Sequence, residues 1–201
     1  MVSPGATIRD AIAANAVVAD DTYLGEGATV DHFAVLGQDP LDAEPLVIGD
    51  RVVIRSHAVI YRGTTIGDDG HIGHGALIRE STVIGRRVSI GSHTVVEHHV
   101  EIGDGARLHT GCFVPEYSVI SAGAWLGPGV IVTNARYPNR PDTKANLEGV
   151  LIGPGAVIGA GVVLLPGVVI GEGALVGAGA VVTHHVRAGA RVVGNPSKEI
   201  S

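Results

Sequence analysis

The chain has 201 residues, of which 45% are hydrophobic but only 3% aromatic, with 30 glycines and a formal net charge of −6. A core short of Phe, Tyr and Trp must be filled by short aliphatic side chains at close, regular spacing, and glycine without a G-X-Y period excludes collagen. The negative charge, with no Lys/Arg-rich run, argues against nucleic acid and anionic membrane surfaces as partners.

The N-terminal run MVSPGATIRD has neither a basic n-region nor an apolar core, and no stretch nears ~18 uninterrupted apolar residues. The single cysteine, Cys112, allows no intrachain disulfide and fits a reducing compartment. These features predict a cytoplasmic protein.

Along the chain an aliphatic residue recurs every six positions. The phase opens at Ile12, Val18, Leu24, Val30 and Leu36, then crosses 37–47, a segment with two prolines and several acidic residues that keeps the phase. From Ile48 to Val132 it runs through fifteen consecutive hits. Residues 135–151 shift it by two and carry two prolines, which predicts a protruding loop; it resumes from Ile152 to Val182. A short C-terminal tail is expected after that.

With the aliphatic residue as position one, position five is small or β-branched (Ala58, Thr64, Ala76, Thr82, Val88). Positions five and one lie two apart on a strand and share a face. Positions three and four are rich in Gly, Asp, Ser and His, the residues that turns require. A period of six matches no amphipathic helix. Each hexad is a short strand plus a corner that buries its apolar face only by stacking.

The pattern I-G-x-x-A-x resembles the hexapeptide-repeat transferases. That resemblance implies an all-β, left-handed parallel β-helix with three hexapeptides per coil, one protruding loop and a single domain over 1–201. Twenty-six hexads would make eight to nine coils, a prism roughly 40 Å long at ~4.8 Å per coil.

Three hexads per coil stack residues eighteen apart. One corner then reads Asp50, Asp68, Arg86, Asp104, Ala122; a second Ser56, His74, Ser92, Thr110, Pro128; the third Arg62, Glu80, His98, Glu116, Asn134. In the third, a histidine stands between carboxylates and the loop departs directly after Asn134. Imidazole suits general-base work near neutrality, and a carboxylate can orient it. His98 is therefore the expected base, with Glu116 as its partner.

The run VEHHVEIG, Val96 to Gly103, resembles the catalytic segment of bacterial sugar N-acetyltransferases of the PglD and NeuD type, and His98 is the corresponding base. Leu108 to Ile200, through LHTGCFVPEYSVI, GPGVIVTNARYPN, LVGAGAVVTHHV and VVGNPSKEI, is similar to N-acyltransferases of nucleotide-linked 3-amino sugars. The resemblance implies acetyl-CoA as co-substrate, an amino-sugar substrate and a homotrimer with sites between prisms. Where that family has an asparagine near the CoA sulfur, this chain has Thr110 beside His109, a rival base. Ala160 and Ala178 would admit the pantetheine arm, Lys198 of GNPSK would meet the 3′-phosphate, and Asn134 and Arg136 complete the expected cofactor contacts. Arg62, Arg79 and Arg136 are candidates for a sugar diphosphate.

Two enzyme alternatives stand beside this one. HIGHGALIRES resembles the γ-class carbonic anhydrase segment at His74, but Arg79 falls where a second zinc ligand is needed. A sugar O-acetyltransferase is the other, although its histidine-proline step is absent from TNARYPN. No metal is expected.

Overall fold

The computed structural model describes residues 11–40 and 42–201. Nearly every hexad is a two-residue strand followed by a two-residue turn, and the strands form three parallel sheets. Face I holds nine strands, from Val17–Val18 to Val181–Val182. Face II holds eight, from Tyr23–Leu24 to Val169–Ile170, and face III ten, starting at Thr29–Val30, all counted among the described residues. The protein is thus an all-β parallel solenoid, consistent with left-handed winding. Parallel pairing at an offset of eighteen, as in Leu77 with Val95 and Val83 with Glu101, confirms three hexads per coil.

The division of labour within the hexad is the one the sequence predicts. Position one and position five point inward: Ile60, Ile78 and Val96 with Ala58, Ala76 and Thr94 are essentially sealed from solvent. The core is a single aliphatic column, which explains why aromatic residues are so few. Buried threonines remain satisfied because each hydroxyl donates to a position-two carbonyl of the next coil. Thr64 reaches Arg79 O at 2.9 Å, Thr82 reaches Glu97 O at 3.1 Å and Thr94 reaches His109 O at 2.9 Å.

Three departures from the repeat set the outline. Within 37–47 one hexad leaves the prism, although the segment keeps the phase. Val35 pairs with Val59 and Val47 with Tyr23, an offset of twenty-four. The insertion is one hexad long, so its phase is invisible to a period test. Beyond Asn134 the offset becomes thirty-two, as in Ile131 with Val163. That fourteen-residue excursion is the expected loop, and it carries a short 3-10 helix, Thr143–Asn146.

The third departure lies in the C-terminal segment, which is more than a tail. Val176 pairs with Val192 at an offset of sixteen, and Lys198–Ile200 folds back antiparallel on Arg191–Val193 to close the last coil of face III.

The chain passes from face I to II to III and back, so the prism has three edges. Both insertions leave from the edge between faces I and II, at Gln38 and at Asn134, with His98 between them. No helix among the described residues is long and apolar enough to cross a membrane.

Candidate active site

The edge between faces I and II, the histidine edge, is built by the corner residues Glu80, His98, Glu116 and Asn134 on successive coils. Their backbones are locked to one another: His99 N donates to Glu80 O at 3.2 Å and Glu148 N to Asn134 O at 2.8 Å. His98 Nε2 lies 3.7 Å from Glu116 Oε1, both side chains being 25% exposed. That separation is an ion-pair distance rather than a hydrogen bond. The second Glu116 oxygen accepts from Asn134 Nδ2 at 2.7 Å, which holds the carboxylate in place.

His98 Nδ1 is 2.8 Å from His99 Nδ1, so one ring donates to the other. When His98 is the donor, its Nε2 keeps a free lone pair on the Glu116 side, the form a base needs. Tyr117 packs edge-on against His98 at 5.9 Å between ring centroids and lies 5.7 Å from His99. His99 and Tyr117 occupy the left-handed corner position, at φ 56° and 65°. A bulky residue there costs conformational energy that glycine would avoid. Sequence reading at position three alone misses both; position four, eighteen residues apart on the same edge, carries the signal.

Glu80 is bonded to Arg79 and meets His98 only through its charge. Arg79 grips it through Nε and a terminal nitrogen, both at 2.8 Å, and reaches Glu97 at 3.3 Å. Partial burial pushes the Glu80 carboxyl up, but the Arg79 hydrogen bonds and its own backbone N–H outweigh this and hold it below the usual range. Arg62 is committed to Asp21, with one contact at 2.7 Å. Arg136, in the loop, donates to Pro166 O at 3.1 Å. None of these arginines stands free beside His98 to receive a diphosphate.

The remaining candidates lie elsewhere. His109, Thr110, Ala160 and Ala178 sit on the edge between faces III and I, with Gly129 N on Thr110 O at 2.9 Å, Gly161 N on Pro128 O at 2.9 Å and Gly179 N on Ala160 O at 2.8 Å. Lys198 continues this line at the end of face III. From Gly111 onward the left-handed corner of this edge is always glycine: Gly111, Gly129, Gly161 and Gly179, at φ 66–70°. A Cβ at any of them would meet only open space, so the backbone lies bare to solvent. This glycine edge offers a track about 19 Å long from Thr110 to the Lys198 end, at ~4.8 Å per coil.

His109 packs on Trp125 at 4.7 Å between ring centroids. Trp125 lies eighteen residues beyond Arg107 on face III, a stacking that composition hides. Cys112 is buried below this edge, where burial keeps its thiol above the usual range, and it donates to Gly127 O at 3.3 Å. It is a packing residue.

The structure therefore gathers His98, Glu116 and Asn134 on one edge and His109, Thr110, Ala160, Ala178 and Lys198 on another. Face I separates them. The first outward residue of every strand on it is apolar: Val17, Val35, Val59, Leu77, Val95, Phe113, Ile131, Val163 and Val181, with the Arg79–Glu97 pair beside them toward the histidine edge. His74 is on the glycine edge, bonded to Ser56 Oγ at 2.8 Å, while Arg79 is on the histidine edge, bonded to Glu80.

Comparison with known proteins places these features in context. The family model for the bacterial transferase hexapeptide (six repeats) matches residues 45–80, 81–116 and 149–184, more than half the chain. The fold is similar to UDP-N-acetylglucosamine O-acyltransferase from Moraxella catarrhalis, with 18% identity, 96% of this chain and 74% of that one covered, and a TM-score of 0.79. It is also similar to UDP-N-acetylglucosamine acyltransferase from Campylobacter jejuni, at 22% identity, 94% and 74% coverage and a TM-score of 0.56. A point mutant of an N-acyltransferase from Bacillus cereus, solved with dTDP and coenzyme A, matches at 23% identity, 77% and 82% coverage and a TM-score of 0.50. No curated protein matches the chain.

Proposed function

This chain belongs to the bacterial transferase hexapeptide family, and from that premise we propose that it is an acyl-CoA-dependent N-acyltransferase, with acetyl-CoA as donor and a nucleotide-linked amino sugar as acceptor. One observation carries the reading. A polar edge with a poised histidine and a bare-backbone edge flank one apolar face. Burying face I between three copies brings the histidine edge of one against the glycine edge of the next. The two halves of the candidate site then meet in a cleft that no single prism possesses.

In that cleft the pantetheine arm lies along Thr110, Pro128, Ala160 and Ala178, held by backbone amides, with Lys198 as a point charge for the 3′-phosphate. Asn134 and Arg136 close the cleft from the neighbouring copy. The acceptor nitrogen approaches from the cleft side, within reach of both His98 Nε2 and the Glu116 carboxylate. Glu116 attracts it as the ammonium, His98 takes one proton to free the nitrogen lone pair, and the amine so formed attacks the thioester carbonyl. The C–S bond breaks, the amide forms, and the CoA thiolate takes up the second proton shed by the nitrogen. Acyltransferases that share this fold, named for UDP-N-acetylglucosamine or solved with dTDP and coenzyme A, support both substrate classes.

A thiol-release assay with acetyl-CoA and a panel of nucleotide-linked amino sugars tests the proposal. Release that depends on one acceptor, with an acetamido sugar as product, is the expected outcome. Release with hydroxyl-only sugar nucleotides would move the enzyme to the O-acetyltransferases. No release with any acceptor would remove acyl transfer altogether.

A further inference from the structure

We infer that face III carries a binding trench for the pyrophosphate of the acceptor's nucleotide, centred on Arg87 and Arg107. The inference rests on the acyl-transfer reading only for the direction in which the sugar points. Two shallow depressions cross this face. One, of about 520 Å³, is lined by Asp69, His71, Arg87, Ser89, Gly105 and Arg107. The other, of about 100 Å³, is lined by Ser89, Gly91, Arg107, Leu108, His109 and Thr110. They share Ser89 and Arg107 and so form one path across the face, ending at the glycine edge.

The guanidinium donors in this path are unspent, although the Arg87 charge is felt by Asp69 and Asp104. Several other arginines of the prism are engaged: Arg51 with Asp69, Arg62 with Asp21, Arg79 with Glu80, Arg86 with Asp104. Neither the Arg87 nor the Arg107 guanidinium makes a hydrogen bond or ion pair with any described residue. Asp69, the one acid in the lining, is held bidentate by Arg51 at 2.7 and 3.1 Å. Two planar guanidiniums on adjacent coils, with the Ser89 hydroxyl and the His71 ring beside them, supply donors for two neighbouring phosphate groups.

Register fixes what lies on either side. Arg107 and His109 both point outward from one strand, about 7 Å apart at ~3.3 Å per residue. A phosphate on Arg107 therefore puts the next sugar ring at His109 and Thr110, where the acyl carbonyl is proposed to lie. Trp125 is the register partner of Arg107 on the next coil and offers a ring for stacking. CoA has a pyrophosphate of its own, but the bare-backbone track runs from Thr110 toward Lys198, away from Arg87. The nucleotide is the occupant that fits.

Trp125 is the only tryptophan, so its emission reports on this path directly. The full-length protein should be titrated with UDP, dTDP, GDP and coenzyme A, following Trp125 emission, with equilibrium dialysis in parallel. One nucleoside diphosphate is expected to bind saturably. Arg87→Gln and Arg107→Gln should each weaken it on the order of tenfold or more. Arg107→Lys should restore part of the loss, Arg187→Gln none of the effect, and coenzyme A should bind all variants alike.

The proposal is overturned if no nucleoside diphosphate binds, if Arg107→Gln binds as the wild type does, or if coenzyme A is the ligand weakened. Failure of the acyl-transfer reading looks different: Arg107-dependent nucleotide binding would persist while no amino-sugar nucleotide released thiol. Conversely, acyl transfer with an unchanged acceptor KM in Arg107→Gln would sink the trench and leave the reading intact.

Discussion

Glu116 stands 3.7 Å from His98 Nε2, close enough to act through its charge and too far to hydrogen-bond. A base and a carboxylate so paired can both contact one acceptor amine, which must be attracted as a cation and then deprotonated. His98→Ala should lower kcat by about 10²- to 10⁴-fold, the range for a lost general base, with little change in the acetyl-CoA KM. His109→Ala, run beside it, should act chiefly on KM. Steady-state kinetics on both variants decides: wild-type turnover in each would leave the substrate amine to react without a protein base.

Glu116→Gln keeps an oxygen for Asn134 and removes only the charge. Coulomb attraction at this distance in a half-exposed site is worth about 1–4 kcal/mol. A loss in kcat on the order of tenfold is expected, smaller than for His98→Ala. Asn134→Ala should give a comparable loss by freeing the carboxylate that it anchors at 2.7 Å. Restoration by Asn134→Gln, or its failure, separates a positioning role from simple packing.

Bulk on the glycine edge should act on the cofactor. Ala160→Leu and Ala178→Leu cover bare backbone without touching the aliphatic core, so melting temperature should hold while the acetyl-CoA KM rises on the order of tenfold or more. Lys198→Gln removes one exposed charge and should raise that KM several-fold, an effect that added salt diminishes. Unchanged KM values in all three would place the cofactor elsewhere.

Acid should weaken the histidine edge through Glu80. Its carboxyl is held below the ordinary glutamate range when folded, by Arg79 and a backbone N–H against the cost of burial. The unfolded chain therefore binds the proton first, and the stabilisation is present above the ordinary glutamate value and lost as pH falls through the lower folded one. Urea midpoints measured across that window should fall with pH in the wild type and more gently in Glu80→Gln. Parallel curves would assign the acid sensitivity to other carboxylates.

Much of this was legible in the sequence because side-chain direction repeats with the coil. Ile60, Ile78 and Val96 announced the core, and the stacking of Glu80, His98, Glu116 and Asn134 followed from an eighteen-residue coil. What stayed hidden had physical causes. The insertion at 37–47 is one hexad long and leaves the phase unmarked. Arg79 captures Glu80 from the neighbouring position, so of the two carboxylates expected around His98 one acts on it only through its charge. His99 and Tyr117 came from the left-handed corner, where turn residues look alike in sequence. The sixteen-residue closing coil at Val192 changes the period and escapes a test for six.

The central claim is that an active site forms where the histidine edge of one copy meets the glycine edge of another across face I. It is tested most directly by co-expressing His98→Ala and Ala178→Leu and assaying the purified mixed assembly for thiol release at acetyl-CoA well below the wild-type KM, where each variant alone should retain no more than about a tenth of the wild-type rate. Random mixing leaves about one site in four with both edges intact, so recovery of about a quarter of wild-type activity is predicted. An inactive mixture, in assemblies shown by tagged pull-down to contain both chains, would contradict the account.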